Sequence, residues 1–313
     1  MANILITGAN GFIGSHVSKH MESLGHQIVP IDVAPRAPDL SLLGIRSTSQ
    51  IMNVTDANAF RALCETERPT HVFHAAHPPR DETPTVLNYC YHAMTNILEA
   101  AKDLKIRRVV YSSSASIYGQ LSKPDGSLVK EDDAVTIYPT YFYRAAKTVS
   151  EWMGNFYKEK HGVDFVALRY SSVYGPGLYR SIPLELKKGI LGQPCRPFLT
   201  RPLDDLIYID DVADAVGRAL FAEKPLSRAY NIGLDKAYVS EDLRRAIQKA
   251  LPDLNFAIGE HPNAAEVAPH RLRSPLDISL AKKELGWTPK IYLEEGIARL
   301  AQWLQNHRAS LRL

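Results

Sequence analysis

Asn3-Ile4-Leu5-Ile6-Thr7-Gly8-Ala9-Asn10-Gly11-Phe12-Ile13-Gly14 is the stretch from which the fold is read. A short apolar run of strand character enters a glycine-rich turn. From Phe12 the apolar positions Ile13, Val17, Met21 and Leu24 recur at three- and four-residue steps, which predicts a helix from Phe12 to Leu24 stopped by Gly25. Gln27 to Asp32 then supplies a second strand. The result is a βαβ unit. Gly8, Gly11 and Gly14 permit a tight turn and close backbone approach, and the helix N-terminus turns N–H groups toward a pyrophosphate. Asp32, closing the second strand, is placed to accept hydrogen bonds from an adenosine ribose and to repel a 2′-phosphate, so NAD is favoured over NADP. Arg36, four residues later, keeps NADP open.

Outward from this unit the alternation continues. Helices are expected near Ala57–Glu67, Pro84–Leu104 and Tyr141–His161, with strands at His71–Ala75, Arg108–Ser113 and Asp164–Tyr170. Strands alternating with helices at this spacing imply an α/β fold with a doubly wound parallel sheet of Rossmann type, because each crossover must return over one face. After Gly175-Pro176-Gly177 the pattern loosens, and Pro183, Pro194, Pro197 and Pro202 suggest irregular chain. Asp210–Glu223 reads as a helix and Ala229–Ile232 as a strand, so the chain is expected to rejoin the sheet. Ser279–Leu285 and Leu293–Gln305 read as closing helices. The expected organisation is a dinucleotide-binding domain at 1–173, rejoined by about 204–233, with 174–203 and 234–313 forming a smaller, interleaved C-terminal substrate lobe.

Composition narrows the function classes. The 313 residues are 45% hydrophobic and 23% charged, ordinary for a globular chain, and exclude collagen-like, coiled-coil and disordered readings. A net charge of +3 leaves no nucleic-acid footprint, so a small-molecule substrate is expected. No window has the length of a membrane span and no secretory signal opens the chain, which points to a cytoplasmic protein. Cys64, Cys90 and Cys195 are too widely spaced for a CxxC motif, and no metal site is expected.

A second cluster carries chemistry. Tyr143 and Lys147 stand four apart on one face of an expected helix, downstream of a strand ending in Ser112-Ser113-Ser114. An ammonium beside a phenol favours phenolate and lowers the tyrosine pKa, so Tyr143 can exchange a proton with a substrate hydroxyl. Ser114, at the carboxyl end of the strand, can hydrogen-bond the same oxygen.

Several segments together resemble the extended short-chain dehydrogenase/reductases, and more narrowly the NAD-dependent epimerase/dehydratase family. They are Thr7 through Gly14, His74-Ala75-Ala76, Ser112 through Gly119, Tyr143 with Lys147, Leu168-Arg169-Tyr170 through Gly177, Ile207 through Ala213, and Leu285-Gly286-Trp287-Thr288-Pro289. The resemblance runs from residue 3 to about residue 305. It implies that Phe12 and Ile13 offer backbone N–H groups to the pyrophosphate and that Asp32 takes the ribose. Asn53 and Val54 would lie by the adenine, with Asn53 replacing the family's usual aspartate. Ala75 and Ala76 would line the cofactor cleft, with Ser112 beside them on the next strand, and Tyr170 and Val173 the nicotinamide pocket. Ser114, Tyr143 and Lys147 would be the catalytic set, Lys147 also bonding the nicotinamide ribose. The family's helices corresponding to 84–104 and 141–161 commonly pair across a two-fold axis. Apolar Met94, Leu98, Val149, Trp152, Met153 and Phe156 therefore predict a homodimer.

The departures from the family bear on substrate. Ala115 and Ser116 stand where dehydratases carry an Asp-Glu pair, which sets dehydration aside. Ser172 replaces an asparagine facing the substrate phosphates, and Asp204-Asp205-Leu206 replaces an Arg-Asp-Phe whose arginine clamps a diphosphate. Arg271 through Asp277 also differs from the family's run before Leu-Gly-Trp. A carboxylate at a diphosphate site is repulsive, unless Arg180, Arg196 or Arg201 arrives from the preceding loop. His77-Pro78-Pro79-Arg80 reads as a surface loop, with a carboxylate-binding cation as its alternative role. The expected activity is therefore an NAD-dependent oxidoreductase acting on a secondary alcohol of a sugar, sugar acid or related polyol. A UDP-glucose 4-epimerase-like enzyme with retained NAD is one alternative, and an NAD-sensing regulator is another.

Overall fold

The structure, a computed structural model, describes the chain except for residues 79–82, 120–122, 124, 136–141, 196–197, 201–204, 224–225, 261–273 and 312–313. In chain order the described strands are β1 (Asn3–Thr7), β2 (Gln27–Asp32), β3 (Gln50–Ile51), β4 (His71–His74), β5 (Arg108–Ser114), β6 (Phe165–Tyr170), β7 (Ser172–Tyr174), β8 (Phe198–Thr200), β9 (Leu206–Tyr208), β10 (Ala229–Ile232) and β11 (Ile258–Glu260). The described helices are α1 (Phe12–Ser23), α2 (Pro38–Ser41), α3 (Ala57–Glu67), α4 (Thr85–Asp103), α5 (Phe142–His161), α6 (Ser181–Ile190), α7 (Ile209–Phe221), α8 (Ser240–Ala250), α9 (Ser279–Leu285) and α10 (Leu293–Asn306).

Seven strands form one sheet in the order β10-β6-β5-β4-β1-β2-β3, every pairing parallel. The expected Rossmann-type sheet is therefore observed, and the order reverses between β1 and β4, where such sheets open a ligand crevice. Both faces of the sheet are covered, which is why its strands read as unbroken apolar runs. Ile4 and Ile6 of β1 belong to the buried cluster on the side of α1 and α7, and Leu5 to the cluster on the side of α3, α4 and α5, as the two-residue period of a strand requires. Two short parallel pairs, β7 with β9 and β8 with β11, lie outside the sheet.

The region after Gly177 is more regular than its prolines suggest. Pro183 sits in the first turn of α6, where a missing N–H breaks no intrahelical bond. Leu243, Ala246 and Ile247 of α8 are buried at helical spacing.

The C-terminal helices are stapled onto α7. The Asp211 carboxylate accepts the Lys290 N–H at 3.0 Å and the Ile291 N–H at 2.9 Å, and the Asp211 carbonyl accepts the indole N–H of buried Trp287 at 3.0 Å. Two motifs distant in sequence thus meet in one clasp.

The helices α4 and α5 pack side by side. Met94, Leu98 and Met153 are buried against the sheet, which removes them from the residues expected at a dimer face. Trp152 is 66% exposed, and Val149, Phe156 and Tyr91 are also exposed. No helix among the described residues is long and apolar enough to cross a membrane.

Candidate active site

The glycine turn after β1 is built for close approach. Gly8 has φ +70°, and a Cβ there would lie 2.6 Å from the Ala76 backbone nitrogen. A Cβ on Gly14 would lie 2.0 Å from the Gly8 carbonyl oxygen. Gly11 precedes α1 without any side-chain cap, so the first-turn N–H groups, those of Phe12 and Ile13 among them, face the turn. The cleft beside it, of about 240 Å³, is lined by Gly8, Gly11, Asp32, Val54, Ala75 and Ala76. Asp32 accepts the Asn10 N–H at 2.9 Å and the Ala34 N–H at 3.2 Å, which aims its carboxylate at the cleft wall. The set suits an adenine dinucleotide: a glycine cradle, an uncapped helix N-terminus and a fixed carboxylate.

Asn53 sits between Met52 and Val54, two residues that line the cleft. Its side-chain oxygen accepts the Thr55 N–H at 3.0 Å, a turn-forming role, and its neighbour Met52 lines the cleft. Met52 is drawn in by its N–H, which donates to the Asp32 carbonyl at 2.7 Å. Tyr89 of α4 and His77 also line the cleft, and burial pushes the Tyr89 phenol up to about 12. Their roles rest on contacts between loop and helix, which no local pattern announces.

Beneath the cleft, the Thr7 hydroxyl accepts the Ala76 N–H at 3.3 Å and shares a hydrogen bond of 2.7 Å with His74 Nδ1. Burial, together with the positive charges of Lys147 and His77, holds the His74 pKa down to about 3.

The other half of the site is the junction of β5 and α5. Lys147 is 4% exposed and donates to the Ser112 carbonyl at 2.6 Å. Its Nζ lies 4.9 Å from the centroid of the Tyr111 ring and 5.6 Å from that of Tyr143. Tyr143 therefore stands beside an ammonium tied to the strand that ends in Ser114. The Ser114 hydroxyl accepts the Ser116 N–H at 3.1 Å, capping a 3-10 turn at Ala115–Tyr118, and its own proton remains to be donated. One helical turn beyond Lys147 on the same face, Glu151 accepts from the Ser113 hydroxyl and pairs with Arg169 of β6 at 2.7 Å. Arg169 also donates to the Tyr118 hydroxyl at 2.7 Å, which donates to Asn231 of β10 at 2.8 Å. This buried network fixes the rotation of α5 on three strands.

Toward the substrate side, Tyr170 is buried and Val173 half-buried, at the end of β6 and in β7. Ser172 donates its N–H to the Asp205 carbonyl at 2.9 Å. The Asp205 carboxylate accepts the Leu234 N–H at 2.9 Å and the Leu276 N–H at 3.3 Å, so it is spent on joining chain segments. Arg180 is exposed at the start of α6. Asp204, Arg196, Arg201, Arg80, Arg271 and Arg273, with the Tyr141 helix start, lie outside the described residues. Among the described residues no cluster of three or more His, Cys, Asp or Glu is arranged to hold a metal ion.

A model of the NAD dependent epimerase/dehydratase family matches residues 4–233. The chain is 28% identical to a UDP-glucose 4-epimerase of Mycolicibacterium smegmatis, over 96% of its own length and 98% of that protein's. A Thermus thermophilus UDP-glucose 4-epimerase solved in complex with NAD superposes with a TM-score of 0.79 at 25% identity, covering 96% of this chain and 98% of that one. For a Thermotoga maritima UDP-glucose 4-epimerase solved with UDP-glucose, the TM-score is 0.83 at 23% identity, with 98% and 99% covered, a likeness of fold.

Proposed function

The chain belongs to the NAD dependent epimerase/dehydratase family, an NAD-dependent enzyme family of the extended short-chain type, and we propose that it oxidises a secondary hydroxyl of a sugar, sugar acid or related polyol. The observation that carries this reading is the junction of β5 and α5, where buried Lys147 bonds the Ser112 carbonyl of the strand that ends in Ser114 and lies 5.6 Å from the Tyr143 ring. NAD, when bound, accepts the hydride. Tyr143 takes the hydroxyl proton, Lys147 favours its phenolate, and Ser114 donates a hydrogen bond to the substrate oxygen. Asp32, the glycine turn, Phe12, Ile13, Val54, Ala75 and Ala76 hold the adenosine and pyrophosphate, and Ser112, Tyr170 and Val173 border the nicotinamide end.

A second reading, a nucleotide-sugar 4-epimerase that keeps its NAD, is favoured by the full-length relatives that bear that name. One experiment separates the two. The protein is incubated with NAD and a panel of sugars, sugar acids and UDP-sugars, with NADH absorbance and products followed together. NADH accumulation supports the oxidoreductase, and an isomeric product without accumulation supports the epimerase. Silence across the panel with tight NAD binding overturns both and revives the NAD-sensing regulator. Tyr143→Phe should lower turnover by at least roughly 100-fold while NAD affinity holds; turnover within a few-fold of wild type rejects the role of the phenol.

The exposed stripe of Tyr91, Val149, Trp152 and Phe156 on α4 and α5 supports a homodimer through this face. Cys64, Cys90 and Cys195 are free thiols, which suits a reducing, cytoplasmic setting.

A further inference from the structure

His77 follows the Ala75-Ala76 turn and reads from sequence as part of a surface loop. In the structure it is half-buried and lines the cofactor cleft together with Asp32, Ala76 and Tyr89. Its ring also packs on Tyr143, the centroids 4.9 Å apart and the planes tilted by 59°. One imidazole thus touches the cleft on one side and the proton-carrying phenol on the other. Its orientation is held. Nδ1 is 2.7 Å from the Pro78 carbonyl, which can only accept, so Nδ1 carries the proton. The following proline restricts the His77 backbone to extended conformations.

We infer that His77 is a positioning residue for Tyr143, a wall that keeps the phenol ring beside Lys147. The Tyr143 ring packs on this imidazole and also lies within 5.6 Å of the Lys147 Nζ, so both groups bear on where it sits. The ammonium stabilises phenolate only while the ring stays near it, because the Coulomb interaction falls with distance and is screened where water enters. With the wall removed, the ring gains room to turn toward the cleft and away from Lys147. Among the described residues, titratable groups near this pair include Lys147 on α5, His74 on β4, Tyr111 on β5, Tyr89 and Cys90 on α4 and Asp32 across the cleft, and Lys147 is the permanent cation that the Tyr143 ring faces. The inference rests on the proposed role of Tyr143, and its test needs no substrate.

The test is an ultraviolet difference titration of phenolate in the NAD-bound protein, each form read against the same form carrying Tyr143→Phe, so that one phenol is isolated. His77→Ala should move the Tyr143 titration to higher pH by about one unit, a tenfold loss of phenolate. His77→Phe, which keeps an aromatic wall, should titrate within about 0.3 unit of wild type. The melting temperature of each variant establishes that it is folded, and the phenylalanine variant keeps the test open if the alanine variant is not. An alanine variant that titrates with wild type overturns the inference. So does a phenylalanine variant shifted as far as the alanine one, since the imidazole nitrogen and not the ring wall would then matter. Should the expected pattern hold while the panel of alcohols gives no turnover, the substrate reading fails alone.

Discussion

Lowering the pH from 7 to 5 should remove a large part of the stability of this fold, and three buried histidines account for it. His16 is held down to about 4 by burial, against the opposing effects of its bond to the Pro176 carbonyl and of Asp210. His71 is held down to about 4 by burial and by Arg107 and Arg108, and His74 to about 3 by burial and by Lys147 and His77. An unfolded histidine titrates near 6.5. The folded state therefore binds fewer protons, so the stability these residues contribute is complete above about pH 6.5 and is lost as the pH falls toward the folded values. Between pH 7 and pH 5 each histidine costs about 2 kcal/mol, and the three together about 6 kcal/mol, against a total of about 5–15 kcal/mol for a typical domain. His20 and His26, also lowered by burial, push the same way. Burial raises Glu131 and Asp211, which gain stability as the pH falls and so oppose the loss in part. Urea unfolding at pH 7 and pH 5, at one protein concentration, measures the difference. In His74→Gln the loss should be about 2 kcal/mol smaller than in wild type. An identical loss in the two proteins, or a wild-type loss below about 2 kcal/mol, refutes the reasoning.

Gly14→Ala places a methyl group 2.0 Å from the Gly8 carbonyl oxygen, so the turn must open; calorimetry should find NAD affinity reduced by roughly tenfold or more. Lys187 of α6 and Asp39 of α2 form an ion pair at 2.6 Å, each side chain under 5% exposed. Lys187→Met should cost about 3–5 kcal/mol in urea unfolding, and adding Asp39→Leu should restore most of it, because the damage comes from the stranded carboxylate. By light scattering at micromolar protein, wild type should give a dimer mass and Trp152→Glu, on the exposed stripe, a monomer mass; a monomer mass for wild type refutes the proposed dimer.

How much of this was readable depends on range. The βαβ unit, Asp32 and the α5 pair of Tyr143 and Lys147 are local patterns, and their elements lie within a residue or two of the expected bounds. The short β3 and the pairs β7–β9 and β8–β11 carry no periodicity of their own and exist through partners far along the chain. Pro183 misled because proline breaks a helix only beyond its first turn. Met94, Leu98 and Met153 looked surplus because a sequence shows that a helix is apolar on a broad arc, not how deeply it sinks against a sheet. Met52 and Tyr89 escaped notice, and His77 was read as surface loop, for a different reason: lining a cleft is a property of where loops cross, and their residue types are commonplace elsewhere.

The clasp between Asp211 and Trp287 also orders events during synthesis. Val212, Val216 and Leu220 of α7 share one buried cluster with Ile4 and Ile6 of β1 and with Ile297, Leu300 and Leu304 of α10. The ribosome delivers Ile297, Leu300 and Leu304 roughly 300 residues after Ile4. Until then α7 rests on α1 and the nascent sheet, without the clasp that Trp287 and the Lys290 and Ile291 N–H groups close at Asp211. The long parallel crossovers already slow such a chain, and the late arrival of the last part of this cluster prolongs the time for which apolar surface is open to chaperones or to neighbouring chains.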